Sequence, residues 1–215
     1  MFGLMKKDWY FYLGYLAVVP LQMLYWQTTR MHLDSSVVFM MTGWIYVVIL
    51  GTIFGVEMNE MKNRGYRFLS TLPISSGEIV AAKLLPVFIM TVIYMTVTYF
   101  AFNNLVVEPV YLALSRKWLF SNAAFALGIA GMLYWFIFRF GLEKAVYLQA
   151  VMFVLAFVVP IGLNELVIRG YLTDSSAIFR LARSTGNGFL LLTGAAVYFV
   201  FYRLSVRALE REVQA

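Results

Sequence analysis

Long apolar blocks alternate with short polar ones along the chain, and six blocks approach the roughly 20 residues needed to cross a hydrocarbon core. They cover residues 9–26, 36–56, 84–105, 118–138, 145–166 and 188–204. The first carries Trp9, Tyr10, Tyr25 and Trp26 at its two ends, as interfacial anchors do. The pattern predicts an all-α integral membrane protein, a single bundle of six spans over residues 1–215. No internal repeat or linker-like composition divides it. One polar stretch stands out, EMNEMKNRGYRFLSTLPISSGEIVAAK at residues 57–83, where charge, amide and hydroxyl groups crowd together. Lipid rejects such a segment, so it is expected outside the bilayer.

Within that stretch Met58, Met61, Gly65, Phe68, Leu69 and Leu72 recur at steps of three and four, which predicts an amphipathic helix leaving the second span. Pro73 ends it, because proline lacks the amide hydrogen and disfavours helical geometry in the residue before it. Ser75-Ser76-Gly77-Glu78 then has the S-x-x-E spacing of a capping box, whose hydroxyl and carboxylate satisfy the free amides of a new helix. That helix, residues 76–83, leads into the third span. On the opposite side of the bilayer, in residues 166–187, Asp174 can cap a short interfacial helix carrying Ile178, Phe179, Leu181 and Ala182, ended by Gly186.

Charge sets the orientation. The net charge of +6 would point to nucleic acid in a soluble chain, but a mean hydropathy of +0.78 gives it a simpler source in membrane-flanking Lys and Arg. With both ends inside, 11 cations fall on inner segments and 6 on outer ones, so cytoplasmic termini are expected and residues 57–83 form the longest inner loop. Arg203, Arg207 and Arg211 recur at steps of four on the last helix, facing anionic lipid headgroups. Cysteine is absent, which excludes disulfides and thiolate metal sites. No G-x-x-x-x-G-K-[ST] occurs, so any nucleotide chemistry belongs to a partner. His32 is the single histidine, no H-E-x-x-H exists, and Asp8, Glu57, Glu143 and Glu165 all fall near span ends. A membrane enzyme or an ion-coupled carrier would need more inside the bundle. Gly51 and Gly55 form a G-x-x-x-G, which allows close helix approach within the chain or to a second copy. Gly128 and Gly131 lighten one face of the fourth span, and Pro20 and Pro160 are expected to kink theirs.

The string LSTLPISSGEIVAAK, preceded by Glu57 and Glu60, resembles the loop between the second and third spans of bacterial type 2 ABC exporter permeases. Residues 138–145, FRFGLEKA, resemble the tight turn between spans four and five in the same family, and the six-span layout agrees. The chain departs from the pattern at Ser76, where relatives often carry Arg. The resemblance implies that Leu72, Pro73, Ile74, Ser75, Ser76, Gly77 and Glu78 form a cytoplasmic coupling element seated in a separate ATPase subunit. It implies further ATPase contact at Glu57, Glu60 and Arg67, with ATP and magnesium held on that partner and no cofactor on this chain. It also implies pairing with a second permease chain and export across a bacterial cytoplasmic membrane. The abundance of Tyr, Phe and Met suits an amphiphilic or hydrophobic cargo: peptide-, drug- or lipid-like. The alternative is a non-transporting assembly or sensory subunit that docks a cytoplasmic partner through the same loop.

Overall fold

A computed structural model describes residues 12–14, 35–62, 74–105, 109–168 and 186–214. All of these are helical except Ile74, Ser75, Gly141 and Gly186. Five long helices result: α1 Ser35–Lys62, α2 Ser76–Leu105, α3 Pro109–Phe140, α4 Leu142–Ile168 and α5 Asn187–Gln214. Helix is the form that satisfies every backbone donor and acceptor within its own segment, as a lipid surround demands. Among the described residues four stretches are long and apolar enough to cross a membrane: Trp44–Lys62, Ser76–Phe100, Arg116–Phe140 and Asn187–Arg211. The chain is therefore a multi-pass membrane protein. The predicted first span, apart from Tyr12–Gly14, lies outside the described residues, as do the predicted outer helix before Gly186 and the residues Arg67, Leu72 and Pro73.

The helices outrun the apolar blocks that announce them. α3 starts at Pro109 rather than near residue 118, because proline suits the first helical position, where its missing amide hydrogen costs nothing. Arg116 and Lys117, expected in an outer loop, therefore sit inside α3, with the Arg116 guanidinium 5.0 Å from the centre of the Tyr99 ring. α5 continues to Gln214 through good helix formers that no longer need lipid. α4 passes Pro160 without a break in helix. Between α3 and α4 a single residue, Gly141, makes the turn at φ +85, a left-handed conformation that favours glycine. Its amide donates to Ile137 O at 2.9 Å, closing α3, and its carbonyl accepts the Ala145 amide at 3.3 Å, opening α4.

α3 is the axis of the bundle and packs on all four of the other helices, most extensively on α5. The two run parallel, since Ala124, Gly128 and Gly131 meet Gly194, Val197 and Phe201 in the same order. Gly194 and Ala124 touch backbone to backbone, and Gly131 accepts the Phe201 and Tyr198 side chains. Lipid tails are as apolar as leucine, so helices join in the bilayer by close packing, and small residues make that packing possible. Gly128 and Gly131 thus serve contacts within the chain. Gly51 and Gly55 on α1 are half-buried.

Polar ties cross the bundle at several depths. The Tyr46 hydroxyl donates to Asn122 Oδ1 at 2.9 Å, joining α1 to α3. The Gln149 side-chain amide donates to Leu50 O at 2.9 Å, joining α4 to α1. The buried hydroxyls of Thr52 and Thr91 return to Val48 O and Val87 O on their own helices, a local way of satisfying a hydroxyl in an apolar interior.

Candidate functional site

One end of the bundle gathers the start of α2, the far ends of α1 and α5, and the α3–α4 turn. The contacts require this. Lys83 on α2 meets Glu57 and Glu60 on α1, and the Tyr202 hydroxyl on α5 donates to Gly77 O at 3.4 Å. The parallel run of α3 and α5 then brings Gly141 to the same side. Exposed Lys62, Arg139, Lys144, Arg203, Arg207 and Arg211 also lie at this end. Arg203 stands over the Phe199 ring at 5.3 Å from its centre.

The start of α2 is a fully formed capping box. The Ser75 hydroxyl accepts the Glu78 amide at 3.3 Å, while Glu78 Oε2 accepts the Ser75 amide at 3.1 Å and its hydroxyl at 3.0 Å. Ser75 O accepts the amides of Glu78 and Ile79 at 3.0 and 3.2 Å, so the first turn closes without strain. Ser75 and Glu78 are exposed, and Ile74, Ser76 and Gly77 are half-buried. From this cap one uninterrupted helix runs to Leu105, so residues 76–83 are the first turns of α2 and not a separate helix. The spacing of Ser75 and Glu78 was sufficient to find this cap.

Below the cap lies a cluster that the sequence does not reveal. Glu57 and Glu60 are 0% and 3% exposed, and Lys83 is 3% exposed. Lys83 Nζ lies 3.1 Å from Glu60 Oε1, within hydrogen-bond distance, and 3.6 Å from Glu57 Oε1. Glu57 and Glu60 were expected to face a partner; instead they point into the bundle at an α2 lysine that was counted as a loop cation. The reason is rotational. α1 continues unbroken to Lys62, and residues three apart share a face, so both carboxylates turn inward together. A hydropathy pattern records how far along a helix a charge sits but not which way it faces. Among the described residues no group of three or more His, Cys, Asp or Glu side chains is placed to hold a metal ion.

Two apolar grooves flank α5. The larger, about 540 Å³, runs along the α3–α5 seam and is lined by Phe125, Gly128, Met132, Gly194, Val197 and Phe201 among others. The smaller, about 380 Å³, lies between α2 and α5 beside Leu84, Leu85, Phe88, Tyr198 and Phe199. There the Tyr198 hydroxyl donates to Leu84 O at 2.6 Å, and the Phe88 and Tyr198 rings stack with centres 6.3 Å apart.

The family described as "ABC-2 family transporter protein" matches residues 2–210, nearly the whole chain. No curated protein matches.

Proposed function

Because the chain belongs to the ABC-2 transporter family and is therefore a membrane permease of an ABC transporter, we propose that it exports an amphiphilic or hydrophobic substrate as one half of a six-span permease dimer. The family match to a transporter protein favours this reading over a non-transporting assembly or sensory subunit. In this reading the chain hydrolyses no ATP, and hydrolysis takes place on a separate cytoplasmic ATPase with its own ATP and magnesium. The observation that carries the proposal is the exposed, rigidly capped start of α2, where Ile74, Ser75, Ser76, Gly77 and Glu78 lie beside the far end of α5. A capped helix start continuous with a span transmits a push as a rod does, because no loop intervenes to absorb it. Leu72 and Pro73 complete the coupling element.

Orientation follows from charge. The six exposed cations at the capped end of the bundle favour a cytoplasmic placement of that end, and with six spans both termini join it, in a bacterial inner membrane. The outward stripe Tyr147, Val151, Val154 and Val158 on α4 offers an apolar face to lipid or to the second permease chain. The apolar grooves beside α5 suit greasy cargo better than sugars or ions.

The test is to replace Leu72 and Ile74 by Asp and purify the chain gently from its host. The unaltered chain is expected to bring down a stoichiometric ATPase, and the double variant to lose it or to hydrolyse ATP without transport, with the bundle still folded. Undiminished transport by the variant would remove the coupling role.

A further inference from the structure

α1 and α2 are tied to each other by charged side chains. Glu57 and Glu60 stand on the last turns of α1, Lys83 stands about 12 Å into α2 from its cap at 1.5 Å per residue, and the three side chains meet out of solvent. A buried ion pair contributes little net stability compared with an apolar contact of the same shape, so its best-attested use is to fix geometry. The geometry it fixes here is specific. The residue beside Lys83 is Leu84, whose carbonyl accepts the Tyr198 hydroxyl of α5. Consecutive residues of α2 therefore grip α1 on one side and α5 on the other. α5 in turn meets α3 backbone to backbone at Gly194 and Ala124.

We propose that Lys83, Glu57 and Glu60 are positioning residues for energy coupling: a buried ionic clamp that makes the ends of α1 and α2 move as one body. A displacement delivered at the cap of α2 is then passed to α1 through Lys83 and to α5 and α3 through Leu84. Without the clamp α2 tilts alone and the motion dissipates between α1 and α2. The inference rests on the coupling role given above to the start of α2.

The chain has no cysteine, so introduced ones are unique label sites. Met61 and Leu85 are exposed, one on each side of the clamp. Spin labels at Met61→Cys and Leu85→Cys report the α1–α2 separation in the permease with its co-purified ATPase in lipid nanodiscs, without nucleotide and with ADP trapped by vanadate after ATP hydrolysis. The clamp requires a single narrow separation that is the same in both states. Lys83→Met is expected to lose it, giving a broad or nucleotide-dependent separation while the ATPase still co-purifies, and Lys83→Arg is expected to keep it. A Lys83→Met chain with the unaltered separation in both states overturns the proposal. So does an unaltered chain whose separation shifts on trapping. Should Lys83→Met fail to fold, Glu57→Gln receives the same measurement and the same reading. If neither folds, the residues are folding determinants and the proposal falls. Absence of any ATPase with the unaltered chain defeats the coupling reading itself, and this is visible before any Lys83 variant is made.

Discussion

Replacing Gly194 by Ala is expected to be among the costliest single-methyl additions in the bundle. An ideal Cβ at that position would stand 2.6 Å from Ala124 Cα, 2.7 Å from Ala124 Cβ and 3.0 Å from Ala124 O. Ordinary contact begins near 3.4 Å, so α5 must retreat from α3 by about 0.8 Å (3.4 − 2.6). The opposing atoms include backbone, so no rotamer change relieves the clash. A radial gap of about 0.5–1 Å already forfeits a quarter to a half of each dispersion contact along the seam. In lipid no hydrophobic term compensates, because packing itself holds helices together. The expected loss is about 2–3 kcal/mol, the upper part of the overpacking range. The assay is steric trapping of reversible unfolding in bicelles, run beside Gly188→Ala. At Gly188 a Cβ meets nothing within 4 Å, so that change should be neutral or gain up to about 1 kcal/mol of helix propensity. The reasoning is refuted if Gly194→Ala unfolds within about 0.5 kcal/mol of the parent, a shift typical of bland surface changes.

Three further outcomes are expected. Gly141→Ala places a side chain at φ +85 with open space around it, so the cost is conformational, about 1–2 kcal/mol, and Gly141→Asn should recover part of it in the same unfolding assay. Ser75→Ala removes the cap of α2 at a cost of about 1 kcal/mol, read as faster amide exchange at Glu78 and Ile79. Tyr198→Phe deletes the bond to Leu84 O and should cost about 0.6 kcal/mol, the mean for interhelical hydrogen bonds in membranes.

What the sequence made legible was local. The S-x-x-E spacing found the cap at Ser75, and FRFGLEKA found the tight turn at Gly141, because each is decided within a few residues by amide satisfaction or by φ. Apolar blocks located four helices that can cross a membrane, but not their ends, since Pro109 and the polar tail of α5 extend helices beyond the lipid-like stretch. Interhelical facts were hidden. The inward turn of Glu57 and Glu60 depends on how α1 is rotated against α2, and the importance of Gly194 depends on Ala124, seventy residues earlier in the chain. No spacing rule connects such positions. The ABC-2 transporter family could be named from two short strings because the polar stretch at residues 57–83 and the tight turn are both local features.

The parallel α3–α5 seam has a consequence for how the protein is made. α5 follows α4 in the chain, so α3 enters the bilayer and turns at Gly141 into α4 before its principal neighbour has been synthesised. Until α5 arrives, the Gly128–Gly131 face of α3 stands bare in the bilayer, a strip on which another small-residue helix could settle. Biogenesis thus contains an interval of vulnerability that ends when Gly194 seats on Ala124. Truncations or stalled translation before α5 should leave a half-built bundle whose axis is open to membrane quality-control proteases.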